Sequence, residues 1–211
     1  MELKGKVISF LGDSITEGCG TSGVEKHFVT LIGKRCGFKR FNNYGIGGTR
    51  IAPQHTPSAT ARWDLDFCGR CKNMDPESDI IVVFGGTNDF GHGDAPIGDF
   101  EDRGTDTFCG SCHYLMRTLI ETYPEAVIVI CTPLHRGGEN NRQPVTMAEY
   151  NAIIKRTAEY YSLPVLDLWS ISGMQPAVEV IKSKYMPDGL HPNDAGHELL
   201  AARITGFLQA L

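Results

Sequence analysis

The feature that most narrows the fold of this chain is an alternation: short apolar runs rich in β-branched residues are separated by longer segments with helical periodicity. That order is the mark of βαβ units wound around a parallel sheet. Residues 7–11 (Val-Ile-Ser-Phe-Leu) and 80–84 (Ile-Ile-Val-Val-Phe) read as buried strands, each running into glycine, and shorter runs at 40–44, 126–130 and 165–168 bring the number to five. Between them, residues 24–36 put Phe28, Leu31 and Ile32 on one helical face, with Gly37 as the stop. Phe108, Cys112, Leu115, Met116, Leu119 and Ile120 form a second stripe, and residues 147–161 a third helix. A last helix starts near Asn193, a good N-cap, and buries Ala195, Leu199, Leu200, Ile204, Phe207 and Leu208. The expectation is an α/β fold, a three-layer α/β/α sandwich on a central, mainly parallel five-stranded sheet. With no repeat or linker in its 211 residues, the chain reads as one domain over 1–211.

Composition excludes several classes of partner. A net charge of −5 with no Lys/Arg cluster gives no footprint for nucleic acid or for an anionic membrane surface. The charged start at residues 1–6 lacks a secretory apolar stretch, and no later run is long enough to span a bilayer. The expectation is a cytoplasmic, reducing setting. Seven cysteines, an odd number, argue against a closed disulfide framework.

Four polar or glycine-rich motifs carry chemistry, and most follow a strand end, where open α/β sheets bind ligands. Gly12-Asp13-Ser14-Ile15-Thr16-Glu17-Gly18 leaves the first strand. Its serine reads either as a helix N-cap or as a nucleophile in a tight turn, with its own N–H free at a helix start. Asn43-Tyr44-Gly45-Ile46-Gly47-Gly48-Thr49 follows the second strand, where glycine lets a backbone N–H approach a substrate oxygen. Gly85-Gly86-Thr87-Asn88-Asp89 leaves the 80–84 strand; Asn88 is a turn former or a neutral donor to an oxyanion, and Asp89 suits holding a loop. Pro187-Asp188-Gly189-Leu190-His191-Pro192 precedes the last helix. It is either a plain polar loop or a general base whose tautomer a neighbouring carboxylate fixes.

Taken in order, these four motifs resemble the SGNH (GDSL-like) hydrolases, over about residues 7–197. The resemblance implies a flavodoxin-like three-layer fold and acyl transfer without metal or organic cofactor. It implies Ser14 as nucleophile with Asp188 and His191 completing the triad. The Ser14 and Gly48 N–H groups and the Asn88 amide would form the oxyanion hole, Gly48 being chosen over Gly47 by counting from Asn43. Asp13 would be structural or touch substrate; Arg50 and His92, near the same motifs, are further candidates for substrate contact, and the polar stretch 134–142 for the pocket rim.

Two CxxC pairs, Cys68/Cys71 and Cys109/Cys112, stand outside this scheme. The gap between them is long for a zinc module, so unlinked thiols are expected and no metal site. The expected partner is a small-molecule ester, short-chain and acetyl rather than long, because no spare amphipathic helix is left for a lipid-seeking lid. Two other classes remain open: a non-catalytic flavodoxin-like binding module and a module built on the paired cysteines. Lipase or thioesterase specificity within the same family is the nearer alternative.

Overall fold

A computed structural model describes residues 1–140 and 145–211. Five strands, β1 (Val7–Gly12), β2 (Arg40–Gly45), β3 (Ile80–Phe84), β4 (Val127–Cys131) and β5 (Val165–Leu166), pair in the order β2-β1-β3-β4-β5, every pair parallel. The order reverses between β1 and β3, which opens a crevice at the carboxyl ends of those strands. Register sharpens the point. Gly12, the last residue of β1, pairs with Gly45 of β2 and Phe84 of β3, so three motif loops leave the sheet level with one another.

Strand alternation sorts the side chains into two apolar layers. Ile8 and Phe10 of β1, with Ile80, Val82 and Phe84 of β3, face helices α2 (Phe28–Arg35) and α9 (Asp194–Ala210). Leu11, Ile81 and Val83 face α5 (Phe108–Thr122) and α6 (Met147–Tyr160) on the other side. Phe28 ties the first layer together, fully buried with its ring edge-on to Phe10 at 5.6 Å and Phe84 at 6.2 Å. Truncating such a ring to alanine costs about 3–5 kcal/mol.

The helix expected over 24–36 is broken. A 3-10 turn at Val24–Lys26 is followed by His27 in an extended conformation, and α2 begins only at Phe28. The reason is tertiary: the Phe28 N–H donates to Nδ1 of His197 at 3.0 Å instead of continuing the turn. The expected strand at 165–168 also ends early. Asp167 accepts the Ser170 N–H and caps a short helix, α7 (Leu168–Ile171). Asn193 caps the last helix through the Gly196 N–H, yet Ala195 is exposed, Leu199 and Phe207 are half-buried, and Gly196 and His197 take inward positions. Short helices α1 (Ser14–Glu17), α3 (Phe67–Arg70), α4 (Thr87–His92) and α8 (Glu179–Tyr185) are too brief for a periodic signal. No helix of the described residues is long and apolar enough to cross a membrane.

All four CxxC cysteines are buried and free of disulfides, the Cys71 thiol donating to the Cys68 carbonyl at 3.3 Å. Cys68 and Cys71 on α3 and the turn after it, with Cys112 of α5, belong to the layer between the sheet and α5 and α6. Burial pushes the thiols of Cys68 and Cys112 well up and that of Cys71 to about 11, which keeps them protonated at neutral pH. Among the described residues no three His, Cys, Asp or Glu side chains gather as metal ligands.

Candidate active site

The site is assembled at the carboxyl ends of β1, β2 and β3, beginning with Ser14. Asp13 caps the one-turn helix α1 by accepting the Ile15 N–H at 3.0 Å, which sets Ser14 as its first residue. At that position a backbone N–H has no intrahelical acceptor, and the Ser14 N–H finds none among the described residues. Ser14 is nearly buried at 7% exposure.

The final loop delivers the other half. Asp188 Oδ1 accepts the N–H groups of Leu190 (2.8 Å) and His191 (2.7 Å), and Oδ2 accepts Nδ1–H of the His191 ring at 2.7 Å. A carboxylate only accepts, so the ring proton sits on Nδ1 and Nε2 is left as the acceptor facing Ser14 Oγ, 3.0 Å away. Burial works to raise the Asp188 carboxyl, but the His191 N–H, the His191 ring and the Leu190 N–H together hold it below the ordinary value. Gly189 fastens this loop to the chain leaving β4, its carbonyl accepting the Gly137 N–H at 2.6 Å. Residues 134–140 thus reach the triad loop; Asn141 and Arg142 of the stretch expected at the rim lie outside the described residues.

Beyond β2, the two adjacent glycines differ. Gly47 donates its N–H to Glu17 Oε2 at 2.7 Å, whereas the Gly48 N–H has no acceptor among the described residues. Gly48 holds φ +79°, in the left-handed region. A Cβ there would stand 2.1 Å from Trp63 Cδ1, so only glycine fits. Gly47 lies beside the serine: a Cβ on it would be 3.6 Å from Ser14 Cβ and 3.8 Å from Arg62 Nη1.

Beyond β3, Asn88 on α4 spends one amide hydrogen on the Thr49 carbonyl at 2.9 Å, which leaves its second hydrogen for another acceptor. Asp89 holds the loop after β2 by accepting the N–H groups of Ile51 and Ala52, both at 2.9 Å. Burial raises the carboxyls of Asp13 and Asp89 to about 6.

A hydroxyl bonded to an imidazole acceptor, a carboxylate behind that ring, and N–H donors left unspent at the serine and on the segments leaving β2 and β3 make a layout for acyl transfer. The sequence profile of the GDSL-like Lipase/Acylhydrolase family matches residues 10–199. The chain belongs to that family. It is 25% identical to a multidomain esterase of Ruminococcus flavefaciens over 95% of its own length, and spans 28% of that protein. Among solved structures, a protein from Lactobacillus plantarum superposes with TM-score 0.86 at 29% identity, covering 99% of this chain and 98% of that one. The lipase/acylhydrolase of Enterococcus faecalis shares the fold, with TM-score 0.67 and 22% identity over 97% and 96% of the two chains.

Two residues offered by the sequence as substrate contacts are not on the cleft surface. Arg50 is 1% exposed. Its guanidinium donates to Asp64 Oδ1 (2.6 Å), to the Trp63 carbonyl (3.1 Å), to Ser58 Oγ (3.3 Å) and to His92 Nδ1 (2.9 Å). Asp13, 2% exposed, is spent on the α1 cap. Proximity to a motif in sequence says nothing about which way the Arg50 side chain points, whereas Asp13 takes the structural one of the two roles expected for it. His92 is half-buried at the end of α4, against Trp63.

Three residues that brace the site went unnoticed. Arg70 reaches under it, donating to the carbonyls of Tyr44 and Gly12 and to Thr49 Oγ1, and so clamps the ends of β1 and β2 to the glycine loop. Desolvation lowers its pKa to about 10. It stands between Cys68 and Cys71, where the cysteines drew the chemical reading. Glu17, one helical turn after Ser14, pairs with Arg62 while holding the Gly47 N–H. That i, i+3 spacing was the available signal. Trp63 had none, lying in a segment without periodicity.

Proposed function

We propose that this chain is a serine ester hydrolase that removes short acyl groups, acetyl first, from a small polar or carbohydrate alcohol through an acyl-enzyme. Ser14 Oγ attacks the ester carbonyl as His191 Nε2 takes its proton, and the carbonyl π electrons move onto oxygen. That oxyanion is met by the N–H groups of Ser14 and Gly48 and the free amide hydrogen of Asn88. Collapse expels the alcohol, which receives the proton from His191; water activated by the same ring then frees the acid and restores Ser14. Asp188 keeps the ring in the needed tautomer and steadies it while charged. The carrying observation is the relay itself, Asp188 to His191 at 2.7 Å and His191 to Ser14 at 3.0 Å, opening onto two backbone donors without acceptors among the described residues. The short-chain, polar preference draws on the groups beside the serine, Glu17 and Arg62, which suit hydroxyls better than an alkyl chain.

The test is turnover of p-nitrophenyl esters from acetate to palmitate alongside acetate release from an acetylated sugar, for wild type and Ser14→Ala. Wild type should peak at acetate and deacetylate the sugar, and the folded variant should do neither. A maximum at eight carbons or longer without acetate release rejects the specificity. Wild-type kcat in a clean Ser14→Ala preparation rejects the nucleophile.

A further inference from the structure

The buried Arg50 raises a question the triad leaves unanswered, namely what a desolvated guanidinium is fixing at the edge of the cleft. Three of its four acceptors belong to one short stretch: Ser58 Oγ, the Trp63 carbonyl and Asp64 Oδ1. The fourth is the His92 ring, on a different element. Asp64 tightens the same knot by accepting the N–H and Oγ–H of Ser58 at 2.9 and 2.6 Å. Arg50 therefore locks the 58–64 segment to the end of α4, and the side chains it brings face to face are Trp63 and His92, with ring centroids 5.0 Å apart and planes tilted by 35°.

This pair stands beside the oxyanion donors. The pyrrole edge of Trp63 lies directly against Gly48, where a Cβ would be 2.1 Å from Cδ1 and 2.4 Å from Nε1. His92 follows Asn88 by four residues on α4, which puts both on one face of that helix. Trp63 nevertheless remains 38% exposed, so part of the indole beside Gly48 is open to solvent.

We propose that Trp63 and His92 form the wall that bounds the acyl group of the substrate and limits its length. This rests on the ester-hydrolase reading above. The stereochemistry at the reacting carbon argues for the acyl side. Of its four substituents, one is Ser14 Oγ and one is the oxyanion between Gly48 and Asn88. The departing alkoxy oxygen must lie at His191 Nε2, which returns its proton. The acyl substituent takes the remaining direction, away from His191 and at a tetrahedral angle to the oxyanion, where it is bordered by the indole against Gly48 and the imidazole packed on it. A rigid indole there excludes methylenes by volume, and Arg50 supplies the rigidity, because an aromatic pair free to swing aside would discriminate poorly.

The experiment measures kcat/KM for p-nitrophenyl acetate, butyrate, hexanoate and octanoate with wild type, Trp63→Ala, Trp63→Phe and His92→Ala, each checked for folding by circular dichroism. The readout is the hexanoate-to-acetate ratio, which any general loss of catalysis leaves untouched. Trp63→Ala should raise it about tenfold or more, the scale on which a pocket discriminates by one or more methylenes. Trp63→Phe should stay near wild type, and His92→Ala, which leaves Gly48 covered, should move the ratio the same way as Trp63→Ala. An unchanged ratio in Trp63→Ala with acetate turnover falling would mean that the indole only props Gly48, and would overturn the proposal. So would an unchanged ratio in His92→Ala, the deciding variant should Trp63→Ala not fold. The wild-type order of chain lengths reports separately on the short-acyl reading. A wild type fastest on acetate with unmoved variants sinks the wall alone, whereas a wild type fastest on octanoate or inert to every ester sinks both.

Discussion

Replacing Asn88 by alanine separates catalysis from architecture, because its amide has one hydrogen with a structural duty and one without. The structural hydrogen goes to the Thr49 carbonyl at 2.9 Å, in a buried setting. Losing it leaves a desolvated acceptor and should lower stability by about 1–3 kcal/mol. The glycine loop nevertheless keeps its other ties: Thr49 Oγ1 to the Ile46 carbonyl at 2.7 Å, Arg70 to Thr49 Oγ1 at 2.9 Å, and Asp89 to the Ile51 and Ala52 N–H groups. Gly48 should therefore stay in place, and the loss in rate should reflect the second hydrogen alone. One oxyanion donor contributes about 2.7–4 kcal/mol to the transition state, so kcat should fall about 10²–10³-fold with KM little changed. Asn88→Asp, nearly isosteric but unable to donate when ionised, should lose at least as much. Steady-state kinetics on p-nitrophenyl acetate and denaturant unfolding of the same preparations give both numbers. A KM that rises while kcat holds would refute the reasoning, since Asn88 would then bind the ground state.

Arg70→Met should cost about 2–5 kcal/mol in denaturant unfolding, because the Gly12 and Tyr44 carbonyls and Thr49 Oγ1 lose a charged donor together, and kcat should drop as the strand ends loosen. Undiminished stability would show that the clamp is redundant. His197 is held neutral by burial and by nearby His27, with a folded pKa of about 4. The unfolded chain takes up its proton near 6.5, so this residue's contribution to stability is present above that pH and is lost as pH falls toward 4. Between those limits, wild type should lose about 3 kcal/mol more than His197→Gln, which keeps an acceptor for the Phe28 N–H; parallel pH profiles would refute it. Prolonged chelation should change neither activity nor melting temperature. One zinc per chain by elemental analysis, with unfolding on its removal, would overturn that.

The strands were legible because apolar runs buried on two faces have few competing readings. The 80–84 run became β3 residue for residue, and the stripe from Phe108 became α5. What failed has a common cause: a polar side chain doing the work of an apolar one, or of the backbone. His197 sits on the inward stripe of α9 and captures the Phe28 N–H, so a histidine both displaced the expected stripe and split the expected helix. The same holds around the cleft. Ser14, Gly48, Asn88 and His191 stood in compact motifs, each next to a strand end or a helix start. Arg50 and Arg70 act over 5 to 58 residues of chain, on partners no local pattern connects. Trp63 gains its place from tertiary contacts with Gly48, Arg50 and His92.

The most direct test of the account is covalent titration of the serine with a small alkyl fluorophosphonate, read by intact mass and peptide mapping. The account expects one adduct per chain, on the peptide containing Ser14, with activity lost in proportion. Acetyl ester should protect against it, and Ser14→Ala should show no adduct. Labelling at another residue, or full ester turnover after stoichiometric modification of Ser14, would contradict it.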